Sequence, residues 1–361
     1  MKILFICGSA EPGNDGVGDY SRRMCGEFIR SGHQAQIVSL CDLYLNSCFN
    51  EKQLIEDTEV LVHRIPLSTT NLQRFIWTQN IINIFKPDWI SLQFVPYSFH
   101  PKGLPFWLPK FLKKLKGSHQ WQIMFHELWI GIEREATFKN KCVGFLQKRI
   151  ICRLKKSINP NVVHTQAKIY QYYLSKIAIK SNYLPLFGNI AVTASKKNNS
   201  ELITFVVFAT IHNKAPFEKF IIDLKKEMEN ANKSLKFVFI GRNGDLLDSW
   251  ISILDHYRIE YELLGPSSEE TISQVLIDGS YGISTTPYKI SDKSGVVAAM
   301  RNHQLPIISI AKPWIDMDDI TIKFDDIIQY KKENLIFNLP SKMENNSLIS
   351  VCNLFLNSIH L

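Results

Sequence analysis

Four short segments of this 361-residue sequence combine residue types that can hold an anion or move a proton. Residues 13–23, GNDGVGDYSRR, put glycines directly ahead of a helical run. Glycine allows positive φ and close backbone approach, and a helix N-terminus offers N–H groups to an anion, so Gly16, Val17, Gly18, Asp19 and Tyr20 form one candidate loop. His126, in FHE (125–127), ends a strand-like run, where an imidazole can hydrogen-bond a substrate hydroxyl or a phosphate. ATIHNK (209–214) brings His212, Asn213 and Lys214 to the end of another such run, a place for cations that stabilise growing negative charge. DKSGV (292–296) sets Asp292 ahead of Ser294, Gly295 and Val296, which open a helix whose first N–H groups can hold a phosphate. His164, in VVHTQ, also ends a strand and reads as a structural histidine.

These residues need a frame that gathers strand ends. KILFIC (2–7), a helix over 20–32 and AQIVSL (35–40) read as one βαβ unit, which predicts a parallel sheet. The alternation continues through strands at 59–66, 88–95, 121–127 and 161–166, with helices at 71–86, 138–158 and 167–177. After a polar run at 195–200, read as a linker, a second series begins. Its strands are predicted at 203–210, 235–241, 261–265, 281–287 and 306–310, and its helices at 216–232, 245–257, 268–278 and 294–303. Ligands of doubly wound sheets lie beyond the carboxyl ends of the strands, which is where all four segments fall.

Composition narrows the class. Hydrophobic residues make up 45% and charged residues 21%, which suits globular domains and excludes a disordered or low-complexity chain. The seven cysteines are scattered without a CxxC pair, so neither a disulfide framework nor a zinc site is expected. No apolar run reaches the roughly 18–20 residues of a spanning helix, and the expectation is a cytoplasmic protein. The net charge of +8 is uneven: residues 1–200 carry 26 Lys and Arg against 13 Asp and Glu, and residues 201–361 carry 16 against 21. The first half therefore suits a polyanionic or membrane-surface partner. PKGLPFWLPKFLKKLKG (101–117) interleaves aromatics with lysines, and peripheral attachment to an anionic membrane on its inner face follows as an expectation. Nucleic acid is not expected, because no RNA- or DNA-binding motif accompanies the charge.

The order of elements resembles the GT-B glycosyltransferases, and the motifs are similar to those of their large retaining family, family four. The resemblance implies an α/β fold of two Rossmann-like domains facing across a cleft. Residues 1–187 would bind the acceptor and 188–342 the nucleotide sugar, with a final helix at about 343–361 packing back on the first. It implies that the 13–23 loop lies under the donor phosphates or beside the acceptor, and that His126 lies near the transferred sugar. Lys214 matches the family's lysine on the donor diphosphate. The arginine that should precede it is absent, leaving His212 or Asn213 to share its role. IGRNGD (240–245) resembles the family's glycine turn, with Gly241 and Arg242, and LLGPSS (263–268) resembles the base-pocket strand end, with Gly265. In YKISDKSGVVAAMRNHQLPII (288–308), Asp292 takes the first acidic position and Ser294, Gly295 and Val296 the β-phosphate turn. Ala298 stands where a second glutamate belongs, and Gln304 replaces a later glycine.

The function implied is sugar transfer from a UDP- or GDP-linked donor to a glycan or lipid-linked glycan, with retention, in bacterial-type surface polysaccharide synthesis. No metal and no cofactor are expected. DMDD (316–319) contains a formal DxD but reads as a surface turn. Two alternatives stand beside this: a catalytically degenerate GT-B subunit that binds or stabilises a partner, motivated by Ala298, and a dinucleotide-binding oxidoreductase with Asp42 on the ribose.

Overall fold

Apolar β-branched and aromatic runs become the central strands. The computed structural model describes residues 1–193, 202–331, 343–344 and 346–359; the polar run at 195–200 lies outside them. The chain divides into two units, one of Met1–Leu184, Ile315–Asp319 and Val351–Leu361, the other of Pro185–Trp314 and Ile320–Ser350.

The first unit contains β1 (Lys2–Cys7), α1 (Gly16–Arg30), β2 (Gln34–Asp42), β3 (Phe49–Ile55), β4 (Thr58–Pro66), α2 (Asn71–Phe85), β5 (Trp89–Phe94) and α3 (Leu108–Lys114). It continues with β6 (Gln120–Phe125), α4 (Phe138–Ile158), β7 (Val162–Thr165), α5 (Lys168–Ser175) and β8 (Asn182–Tyr183). Among the described residues the strand order is β3-β4-β2-β1-β5-β6-β7-β8. The pairs from β4 through β8 are parallel, as the βαβ reading expected. Every residue of β5 is buried, as a strand covered on both faces requires.

The edge strand β3 is antiparallel to β4 and was not expected. Its two-residue loop is Glu56 and Asp57, at φ 45° and 63°, the left-handed pair of a tight hairpin turn. Such turns usually carry Asn-Gly, so the Glu-Asp pair gave no signal.

The second unit contains β9 (Ile203–Phe208), α6 (Phe217–Asn230), β10 (Leu235–Ile240), α7 (Leu247–His256), β11 (Glu260–Gly265), α8 (Glu269–Asp278), β12 (Tyr281–Ser284), α9 (Gly295–Asn302), β13 (Ile307–Ser309) and β14 (Ile327–Gln329). The described order is β11-β10-β9-β12-β13-β14, parallel throughout. One core cluster includes Phe205, Phe220 and Phe237, and another includes Val206, Val297 and Met300. Phe205 and Val206 are successive residues of β9, so this strand supplies both clusters, one from each face.

The final helix, α10, spans Leu348–Ile359, shorter than the 343–361 predicted. Its Phe355 ring lies 6.2 Å from Phe5, 5.4 Å from Phe28 and 5.7 Å from His164, inside the first unit's core.

His164 on β7 is buried, and its Nδ1 accepts from Gln122 Nε2 at 3.0 Å, an arrangement of the neutral ring. Burial lowers its pKa from 6.5 to about 4. The unfolded chain therefore takes up this proton first, and stability present above about pH 6.5 is lost as pH falls toward 4. We expect His164 to account for on the order of 3 kcal/mol of the loss between pH 7 and 4. Urea unfolding at both pH values should show a markedly smaller difference for His164→Gln; an equal difference would contradict this.

Candidate functional site

In the second unit, hydrogen bonds tie together the loops beyond β9, β10, β11 and β12. Ala209 N donates to Ile240 O at 3.0 Å, and Gly241 N donates to Gly265 O at 2.7 Å. Buried Asn243 joins two loops: its carbonyl accepts from Ile211 N at 3.0 Å and its Nδ2 donates to Ala209 O at 2.9 Å. Thr285 Oγ1 accepts from His212 N at 2.9 Å and lies 2.9 Å from the ring Nδ1, so this histidine is oriented from two atoms. Thr286 Oγ1 donates to Ser294 Oγ at 3.1 Å, linking the β12 loop to the start of α9.

Several of these positions need unusual backbone. Gly241 and Gly265 have φ of 84° and 60°, as the glycine-turn reading requires. Ala209 at 60° and Lys214 at 65° hold left-handed conformations without being glycine, strain of the kind that collects at functional loops. Gln304, standing where the resemblance expects glycine, also sits at φ 55°, and its Nε2 donates to Arg301 O at 2.9 Å. Gln304 thus holds a left-handed conformation without being glycine.

Ser294 caps α9 by accepting from Val297 N at 3.4 Å. The first helical N–H groups have no intrahelical acceptor, which leaves those of Gly295 and Val296 at the open end. A Cβ built on Gly295 would meet nothing within 4 Å, so there is room for a ligand beside it. Lys214, His212 and Asn213 are exposed, as is Arg242, whereas Asp292 is buried just before the α9 turn. A cavity of about 470 Å³ is lined by His212, Asn213, Lys214, Lys219 and Trp250, among others. Trp250 stacks on Phe217 with ring centroids 3.7 Å apart, which makes this wall rigid. Ala298 is buried in α9.

In the first unit, His126 follows β6 and is 4% exposed. Its Nε2 lies 2.8 Å from Gln93 Oε1 and its Nδ1 3.2 Å from Gln166 Oε1. Tyr20 packs edge-on at 4.8 Å, so α1 and the FHE segment meet at this histidine. Sequence reasoning missed both glutamines, since a lone Gln on a strand or after one carries no motif.

The glycine-rich segment differs from its expected form. The helix was expected from Tyr20, but α1 starts at Gly16, placing Gly16, Val17, Gly18 and Asp19 in its first turn. The cause is Asp15, whose carboxylate accepts from Val17 N at 3.0 Å and Gly18 N at 2.7 Å. Two of the N–H groups available to an anion are therefore taken by the protein's own carboxylate. Gly18 is required where it stands, because a Cβ would come within 2.7 Å of Ser9 O.

Asp42 is also committed within the protein. Its carboxylate accepts from Arg64 at 2.8 and 2.9 Å and from Tyr44 N at 3.1 Å. Burial works to raise its pKa, but Arg64 overrides it and holds the group below the ordinary range. No oxygen is left open for a ribose, which removes the main support for the dinucleotide alternative. The DMDD segment is only partly the surface turn expected. Asp316 is buried and accepts from Tyr173 OH at 3.0 Å, while Asp318 pairs with Lys176 at 2.8 Å. The first Asp is drawn inward because residues 315–317 pair with 132–134 backbone to backbone.

No family model matches the sequence, and no curated protein is significantly similar to it. Solved structures do match over the whole chain. The lipopolysaccharide outer core galactosyltransferase WaaB is 12% identical with a TM-score of 0.54, covering 100% of this chain and 99% of its own. HepE of Anabaena, solved with UDP, is 12% identical with a TM-score of 0.53, covering 99% and 91%. A glycosyltransferase from Rickettsia africae is 11% identical with a TM-score of 0.51, covering 99% and 88%. The chain has the GT-B fold. At this identity the likeness concerns fold alone, and the site must carry any statement of activity.

Proposed function

We propose that this GT-B protein transfers a hexosyl group from a UDP- or GDP-linked sugar to a glycan or lipid-linked glycan, with retention, in bacterial-type surface polysaccharide synthesis. The observation that carries the reading is the hydrogen-bonded set of loops at the carboxyl edge of the second sheet, which presents Lys214 and the open end of α9. A departing nucleoside diphosphate gains negative charge in the transition state, and fixed cations and helix N–H groups stabilise it without reorganising. Lys214 supplies the cation, His212 and Asn213 further hydrogen-bonding groups, and Ser294, Gly295 and Val296 the phosphate turn. Gly241, Arg242 and Gly265 line the remainder of the donor site. Asp292 is assigned to the reacting sugar, and so is His126, which must exchange its bond to Gln93 or Gln166 to reach it. The reading gives no role to a metal or cofactor. That neighbours such as HepE were solved with UDP supports the donor class.

The segment Gly16–Tyr20 is assigned to the acceptor rather than the donor phosphates, because Asp15 already occupies the N–H groups of Val17 and Gly18. The reading places the chain with the retaining family four, and a cytoplasmic site of action goes with a nucleotide-sugar donor. Incubating the full chain with UDP- and GDP-hexoses and glycan acceptors, and reading the product's anomeric configuration by NMR, tests this. An α-linked product from an α-linked donor is expected; inversion would refute the mechanism. Ala298 favours one second reading, a binding subunit without turnover. Nucleotide binding accompanied by no donor consumption with any acceptor would select it.

A further inference from the structure

The helices α2 and α3 present a face that joins exposed apolar side chains to a row of lysines. Arg74 is the only charged residue of α2, and it is buried, donating to Leu40 O at 2.7 Å and Leu67 O at 3.1 Å. The helix is left with an uncharged exterior on which Leu72, Ile76 and Ile84 are 69%, 51% and 83% exposed. Such a face is costly in water unless something apolar covers it. Beside it runs a row of exposed lysines, Lys110, Lys113 and Lys114 on α3 and Lys116 after it, and the sequence has no acidic residue between Asp88 and Glu127. Gln79 of α2 bonds Lys116 at both backbone atoms, at 2.8 and 2.9 Å, so lysines and apolar face are held as one surface.

Between the two helices is a cavity of about 400 Å³ lined by Leu72, Phe75, Trp107 and Phe111, with Lys110 and Lys114 also on its wall. Its aromatic wall is built: Trp107 and Phe111 meet edge-on at 5.2 Å, and the Arg74 guanidinium stacks on Trp107 at 4.8 Å.

We infer that α2 and α3 form a docking face for an anionic phospholipid bilayer, the cavity receiving one acyl chain while Lys110 and Lys114 hold its headgroup phosphate. The pairing of chemistries decides the occupant. Lysines alone would suit any polyanion, but exposed leucine and isoleucine gain nothing from a nucleic-acid backbone, whereas a bilayer offers phosphate and hydrocarbon together. The face is independent of the transferase reading, because partition is measured without donor or acceptor and its failure leaves that reading untouched.

The test is sedimentation of the full chain with phosphatidylcholine vesicles, with and without about 30 mol % phosphatidylglycerol, at low salt. Binding should be at least about tenfold tighter to the anionic vesicles and should weaken with added salt. The variant Lys110→Ala/Lys113→Ala/Lys114→Ala should bind them about a hundredfold more weakly. Leu72→Ser/Ile76→Ser/Ile84→Ser, with every lysine in place, should lose at least about tenfold. Melting temperatures, close to that of the parent, establish that both variants fold. Brominated acyl chains should quench tryptophan emission, and Trp107→Phe should abolish most of the quenching. Equal binding to neutral and anionic vesicles would overturn the inference. So would serine-variant binding as tight as the parent's together with equally tight binding to a short DNA duplex, which would mark a general polyanion surface.

Discussion

Replacing Lys214 with alanine should lower kcat/KM for sugar transfer by about 100- to 1000-fold, the effect of removing one preorganised donor from a developing anion. The residue is exposed and held at φ 65° in the loop after β9, so its side chain contributes little to the core. The melting temperature of Lys214→Ala should therefore match that of the parent, separating a chemical role from a structural one. Lys214→Arg, which keeps the charge but changes its shape, should recover part of the rate. His212→Ala should cost less, since Thr285 orients the ring but the fixed charge lies on the lysine. Steady-state kinetics with one donor and one acceptor checks the series. Equal activity of Lys214→Ala and the parent would remove this residue from the mechanism.

The largest stability effect is expected at the C-terminal end of α9. Arg301, on the last turn of α9, is 1% exposed and bonds both oxygens of Asp326, the Nη2 contact being 2.9 Å. Its Nη1 also lies 3.3 Å from Glu344 Oε2, and its guanidinium lies 5.5 Å from the Phe324 ring. Removing the Asp326 carboxylate leaves the buried cation with only the more exposed Glu344 opposite it, and breaking such a buried pair costs about 3–5 kcal/mol. For a unit of this size, Asp326→Ala should lower the melting temperature of the second unit by on the order of 10 °C. Because an apolar pair can replace a buried ion pair at little net loss, Arg301→Met/Asp326→Leu should recover much of it. Differential scanning calorimetry distinguishes the cases, and a shift of less than about 2 °C for Asp326→Ala would show that the pair is not the anchor of α9.

How much of this was legible in the sequence depends on the range of the interactions. The alternation of β-rich runs with helical spacing pointed to parallel pairing in both units, because each βαβ unit is a local pattern. Strand ends read at Phe125, Thr210 and Pro287, which the structure sets at Phe125, Phe208 and Ser284, then placed His126, Lys214 and Asp292 on loops at carboxyl edges. Contacts between residues distant in sequence were invisible. The antiparallel β3 carries an atypical turn. Asn243, Thr285 and Gln93 tie loops together through single polar groups that have no periodicity. The burial of Asp316 depends on Tyr173, 143 positions away in the chain. The early start of α1 was within reach, since Asp15 stands at a typical cap position, but the surrounding glycines masked it. Gln304 shows the reverse: the sequence carries no glycine there, yet the backbone adopts the left-handed conformation that glycine favours.

The account rests on the second unit binding a nucleoside diphosphate at Lys214 and the start of α9. The most direct measurement is calorimetric titration of UDP and GDP into the full chain, in parallel with Lys214→Ala and a chain carrying a bulky residue at the helix start, Gly295→Leu. One of the two nucleotides should bind the parent, and both substitutions should weaken it at least about tenfold, since each removes a contact to the diphosphate. Absence of heat and of any thermal stabilisation by either nucleotide, or equal affinity in all three chains, would contradict the account.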